Sequence, residues 1–143
     1  MKYSHKLSDA VHILAFIEIN QGGNLSSQTI ASSIESNPSL IRRMMSELSQ
    51  AGLITTQAGK SSPKLSRSAK DISLLDIYQI IEGSTPILHV DDATNPDCVI
   101  GANIQDTLTK AYEQVQNAAN NEMHKISLQS IIDGILLRSS QSN

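Results

Sequence analysis

Between Leu25 and Arg67 the succession of helix caps, apolar spacing and turn residues admits few folds. The stretch reads LSSQTIASSIESNPSLIRRMMSELSQAGLITTQAGKSSPKLSR. Its best-defined part is a helix over 38–50. Asn37 is a good N-cap, because its side-chain oxygen can accept from a backbone N–H that has no partner within the helix. Pro38 follows at the first helical position, where its missing N–H costs nothing and its fixed φ suits the helix. Leu40, Ile41, Met44, Met45 and Leu48 then recur at one-face spacing. Ser39, Arg42, Arg43 and Ser46 form a separate polar stripe at i, i+3, i+4 and i+7, and Gly52 suits the stop. Such a helix buries one side and presents a small cationic, hydrogen-bonding side to something else.

An earlier helix starts at Ser26 or Ser27 and carries Ile30, Ala31 and Ile34 toward a core. Only Glu35 and Ser36 separate it from the Asn37 cap, which predicts a tight helix–turn–helix corner. Leu53-Ile54-Thr55-Thr56 and Lys64-Leu65-Ser66 have strand composition, and the turn-rich Ala58 to Pro63 between them includes Lys60. Two helices, a corner and a two-stranded wing make a winged helix-turn-helix, a module that lays its second helix in the DNA major groove. Arginines on a helix are ordinarily a solvated face. Here the capped start, the short corner and the wing make DNA contact the better reading of Arg42 and Arg43.

The charge supports that placement. The net charge is −3, which taken evenly argues against nucleic acid. Residues 1–70 carry eight Lys+Arg against four Asp+Glu, a balance of +4, and residues 71–143 carry three against ten, a balance of −7. Such asymmetry hints at a nucleic-acid-binding part joined to something else. Aromatic residues are few (Tyr3, Phe16, Tyr78, Tyr112), so no stacking platform for single strands is expected. No apolar run approaches the ~20 residues needed to span a bilayer. The N-terminus leads into an amphipathic helix rather than a signal-peptide core. The lone cysteine excludes an intrachain disulfide and suits a reducing compartment. The expectation is a cytoplasmic protein with no membrane contact.

Around the winged unit, Leu7, Ala10, Val11, Leu14 and Ile17 make one helical face, and Ile13 and Phe16 a second apolar edge. That helix must bury more than one surface. Ser73 with Asp76 forms an S-x-x-D capping box, Ile72 and Ile77 stand at staple positions, and Gly83 stops the helix. Residues 84–103, with Pro86 and Pro96, read as a connecting loop. A long helix from about Ile104 to Met123 follows, with Ile104, Leu108, Ala111, Tyr112, Val115 and Ala119 on one narrow stripe, which suits an intersubunit seam. Ser127 starts a last helix, and residues 139–143 are expected to fray. The fold class is mainly α: a winged helix-turn-helix domain over 1–83 with a two-stranded wing, a loop over 84–103, dimerisation helices over 104–138, and a flexible tail over 139–143.

On these residues the chain resembles the Rrf-two family of bacterial winged-helix regulators over nearly its whole length. The matching stretches are MKYSHKLSDAVHILAFI, SNPSLIRRMMSELSQAGLI, DISLLDIYQIIEG and NPDCVIGANI; DISLLDIYQIIEG after a wing is the most specific. The resemblance implies a homodimer in which the long helices cross. Two features depart from the family's pattern. Its glycine-rich wing is replaced by Gly59-Lys60-Ser61-Ser62-Pro63-Lys64, which weakens the implied minor-groove contact. The three closely spaced cysteines of cluster-binding members are reduced to Cys98. A cluster needs about four ligands, mostly thiolates, so no iron–sulfur cluster, and no other cofactor, is expected.

Some cluster-free relatives sense oxidants through a thiol near this position, so Cys98 is either a packed thiol or a candidate redox sensor. Asp91, Asp92 and Asp97 would raise its pKa, and a nearby helix N-terminus would lower it. An enzyme would need Cys98 with His89 or His124, and no nucleophile motif, oxyanion-hole glycine pattern or metal-ligand spacing supports one. Catalysis and metal binding are not expected. The chain therefore reads as a homodimeric regulator of transcription, a repressor, that binds a pseudo-palindromic operator in double-stranded DNA. Arg42 and Arg43 are the candidate base or phosphate contacts, Ser39 and Ser46 support them, Ser27 and Gln28 anchor the backbone, and Lys60 and Lys64 serve the wing. The dimer contacts fall to Ile104, Leu108, Ala111, Tyr112 and Val115. The alternative is a winged-helix protein-interaction module that has lost DNA binding.

Overall fold

The computed structural model describes residues 4–56 and 62–142. Six helices and one two-stranded sheet follow in the order α1 (Lys6–Ile19), α2 (Ser27–Ile34), α3 (Pro38–Gln50), β1 (Ile54–Thr55), β2 (Lys64–Leu65), α4 (Leu74–Glu82), α5 (Val99–Lys125) and α6 (Leu128–Gln141), with a 3-10 turn at Ala69–Asp71 before α4. Helix α1 lies at the centre and touches α2, α3, β2, α4 and α6. Ala10, Ile13, Leu14, Ala15 and Ile17 are buried, and Leu7, Val11 and Phe16 pack at the margin. Its two apolar sides are thereby explained: one covers the helix-turn-helix, the other the later helices.

The helix-turn-helix forms as its caps require. Ser26 Oγ accepts from the Thr29 N–H at 3.2 Å to open α2, and Asn37 Oδ1 accepts from the Ser39 N–H at 2.7 Å to open α3. At the corner Glu35 sits in the left-handed region, at φ 60° and ψ 47°. The Ser36 N–H then closes back on the Ala31 carbonyl at 2.9 Å, as a left-handed helix stop does. Ile41, Met44 and Leu48 point into the core. Gly52, at φ +84°, turns the chain into β1, which pairs antiparallel with β2 so that Ile54 faces Leu65 and Thr55 faces Lys64.

Behind the wing, the α4 capping box makes both of its bonds: the Asp76 N–H donates to Ser73 Oγ at 3.0 Å, and the Ser73 N–H donates to Asp76 Oδ2 at 2.9 Å. Ile72 and Ile77 are fully buried.

Two boundaries differ from the sequence reading. Helix α5 opens at Val99, not Ile104, so the loop ends at Cys98. Val99 and Ile100 are 82% and 71% exposed, so the first turn of α5 buries little, although Ile100 continues the stripe four residues before Ile104. Gly101, a poor helix former, is needed there because the Asn95 backbone occupies the space a Cβ would take. Helix α6 continues to Gln141, through residues expected to fray.

Finally, α6 is not only a C-terminal appendage. The Leu74 N–H donates to the Ile126 carbonyl and the Leu128 N–H to the Ile72 carbonyl, both at 2.7 Å, and Ser73 and Ser127 form an antiparallel bridge. Leu128 and Ile132 are buried in the same core as α1. Full burial of such side chains stabilises by about 1.5–3 kcal/mol each. Among the described residues no helix is long and apolar enough to cross a membrane.

Candidate nucleic-acid interface

One side of α3 is committed to the core, so its other side is presented by geometry alone. Ser39, Arg42, Arg43 and Ser46 are all exposed there. The two arginines differ. Arg42 Nη2 donates to Ser39 Oγ at 3.2 Å, and its Nη1 reaches Ser27 Oγ, on the first turn of α2, at 3.5 Å. A guanidinium held this way keeps its remaining donors free in a fixed fork. Arg43 has no side-chain hydrogen bond among the described residues. Gln28 is exposed beside Ser27, and Lys64 is exposed on β2. Lys60 and most of the predicted wing loop lie outside the described residues.

Sequence reasoning stopped the stripe one turn early. Gln50 is exposed at the end of α3 and its Nε2 donates to Ser46 Oγ at 3.5 Å; its place four residues after Ser46 was the available signal. A cavity of about 440 Å³ lies beside this face, with Leu25, Met45 and Pro63 beneath and Ser27, Arg42 and Gln50 at its edge. Arg67, just after β2, was also missed. It pairs with Asp76 Oδ2 at 3.1 Å and so ties the wing to the α4 capping box. Both partners are substantially exposed, so the pair contributes at most about 1 kcal/mol.

Cys98 is the N-cap residue of α5 and is exposed. Its thiol makes no cap hydrogen bond of ordinary geometry, yet the backbone N–H groups of Gly101 and Ile100 lower its pKa. These amides at the helix end favour the thiolate, against a smaller opposing contribution from burial. The long-helix stripe divides. Ile104, Leu108 and Tyr112 are half-buried against their own chain, whereas Ala111 and Val115 are exposed.

A winged helix-turn-helix with an uncovered cationic second helix defines a class, the DNA-binding transcriptional regulators. The Rrf2 family model, described as iron-dependent transcriptional regulators, matches residues 3–134. YwnA of Bacillus subtilis (strain 168), named as an HTH-type transcriptional regulator, is 35% identical over 128 residues, which is 90% of this chain and 95% of YwnA. A crystal structure described as that of a DNA-binding protein superposes with a TM-score of 0.73 at 35% identity, over 89% of this chain and 98% of its own. CymR, the global cysteine regulator of B. subtilis, shares the fold at a TM-score of 0.68 and 19% identity, over 93% and 97% of the two chains. The chain belongs to the Rrf2 family, and it is a DNA-binding transcriptional regulator of that family rather than a member of an enzyme family.

The iron in the family's description finds a poor donor set here. Cys98 is the one cysteine, against about four ligands, mostly thiolates, that a cluster requires. Among the described residues no three His, Cys, Asp or Glu side chains are grouped to hold a metal ion. An iron–sulfur cluster does not fit these residues.

Proposed function

We propose that the protein is a homodimeric repressor that reads a pseudo-palindromic operator through α3. The observation that carries this reading is the pre-set Arg42 fork, braced by Ser39 of its own helix and Ser27 of the neighbouring one. In a dimer the two α3 helices enter successive major grooves about one turn (~34 Å) apart. Arg42 is assigned to a base edge, where a bidentate contact to guanine discriminates by ~1–3 kcal/mol. Arg43, Gln28, Lys60 and Lys64 are assigned to phosphates, which position without choosing sequence.

The test is operator binding by single variants across a salt series. Arg42→Ala is expected to weaken operator binding by roughly tenfold or more and to narrow the gap between operator and unrelated DNA. Arg43→Ala is expected to weaken both DNAs alike and to flatten the salt slope by roughly one. Unchanged operator affinity in both variants would remove α3 as the reader. Absence of any DNA binding at low salt would favour the protein-interaction alternative.

The lowered pKa of the exposed Cys98 supports redox control as part of the same reading. The thiolate attacks a peroxide oxygen, the O–O bond breaks, Cys98 becomes a sulfenic acid, and the departing hydroxide takes a proton from solvent to leave as water. Because the pKa is lowered, the thiolate persists to a lower pH than in an ordinary thiol. The alkylation rate of Cys98 should therefore rise with pH through a midpoint below that of the urea-unfolded chain. Cys98→Ser should keep basal operator binding and lose its response to peroxide; a response that survives would remove the thiol.

A further inference from the structure

The segment after α4 crosses back over α5 as a strap. Two glutamines of α5 pin it: the Ile87 N–H donates to Gln116 Oε1 at 2.9 Å, and Gln105 Nε2 donates to the Asp91 carbonyl at 2.9 Å. Those pins lie about three turns, or ~16 Å, apart on the helix. The order of the pins makes the strap antiparallel to α5, with its chain bent at Ile87 and Leu88. One face of a helix repeats at i, i+3, i+4 and i+7, and Thr109, Tyr112, Glu113 and Gln116 of α5 line a cavity of about 490 Å³ together with Pro86, Leu88, His89, Val90 and Asp92 of the strap.

That volume lies in the range of small-ligand sites. Its walls are apolar at Leu88, Val90 and the Tyr112 ring, and Leu88 remains 39% exposed although it faces the helix. Gln116 is itself held on its helix, where its Nε2 donates to Asn120 Oδ1 at 2.9 Å. Asp92, Glu113 and His89 line the cavity, and no lysine or arginine does. The surrounding half of the chain carries the −7 balance. An occupant should therefore pair an apolar body with a positive charge, which the Tyr112 face would also attract.

We propose that this strap cavity binds a small organic cation, a primary amine on an aromatic or branched aliphatic body, as the regulator's effector. The amine would sit between the Asp92 and Glu113 carboxylates, with its body against Leu88, Val90 and Tyr112. Binding would bridge the strap to α5 just before the Cys98 cap, and so would bias the helix that carries the proposed dimer seam. The site itself is independent of the DNA reading; only the effector role rests on it.

Calorimetry on the full-length chain tests the site without DNA, using 2-phenylethylamine, its neutral analogue 2-phenylethanol and the anionic 3-phenylpropionate. The amine is expected to bind tightest, with both analogues weaker by roughly tenfold or more. The double variant Asp92→Asn, Glu113→Gln should lose amine affinity by a similar factor, and Glu122→Gln, elsewhere on α5, should not. Leu88→Trp, which fills the cavity, should block all three ligands. Equal binding of the alcohol, an unaffected double variant, or no binding of the amine at millimolar concentration would overturn the site. Amine binding that leaves operator affinity unchanged would overturn the effector role, and a chain that binds amine but no DNA would count against the DNA reading instead.

Discussion

Arg42 and Arg43 are chemically identical neighbours, and what separates them is the surroundings of each guanidinium. Arg42 is braced by two serine hydroxyls, so in the proposed complex it would give up less side-chain freedom on meeting a base. The division of labour predicted for the two variants follows from that difference. Glu35 is a second case in which one residue carries a structural demand. It is the one non-glycine residue at positive φ among the described residues, and a left-handed L residue costs roughly 1–2 kcal/mol. Glu35→Gly relieves that strain and returns part of the gain through a freer unfolded chain. We expect a net stabilisation of about 0.5–1 kcal/mol, read as an upward shift of the denaturation midpoint at constant m. A destabilised variant would mean that the Glu35 side chain contributes something the backbone geometry does not account for.

Elements bounded by strong caps were legible residue by residue. Helices α3 and α4 begin and end where Asn37-Pro38, Ser73-Asp76 and Gly83 placed them, because a cap is a local hydrogen-bonding arrangement that needs no distant partner. Helix α5 was not legible at its start, since its cap is Cys98, a residue without capping preference, followed by exposed Val99 and Ile100 and by a glycine. The α4 cap has a second duty. Its first turn bridges to the first turn of α6, so a break there propagates into the core through Leu128. Ser73→Ala should therefore cost more than the ~1 kcal/mol of an ordinary cap. Hydrogen exchange should show the loss shared between α4 and α6; protection changes confined to α4 would refute the coupling.

At the scale of the whole molecule, α5 presents Ala111 and Val115 to solvent while Ile104, Leu108 and Tyr112 turn partly toward their own chain. If the long helix is the proposed seam, the contact centres on the exposed pair. Ala111→Asp would place like charges across a two-fold axis. Sedimentation should then show monomers, and operator affinity should fall with them, because each half-site would lose the second α3. A variant that stays dimeric would move the seam elsewhere. The tether from Arg67 to Asp76 joins the wing to the same α4–α6 junction, so the reading module and the C-terminal helices share one mechanical base.

The class of fold, the reading helix and its polar stripe follow from sequence alone, because caps and helical periodicity act over a few residues. The resemblance carried by DISLLDIYQIIEG likewise needed no coordinates. The tertiary structure decided everything that depends on residues far apart in the chain. It placed α6 in the core through the Ser73–Ser127 bridge, braced Arg42 from a neighbouring helix, and put the amides of Ile100 and Gly101 beside the Cys98 thiol. It also turned an apparent loop into a strap that lines a cavity against one side of α5. Those arrangements arise where one element meets another, and no spacing within a single element encodes them.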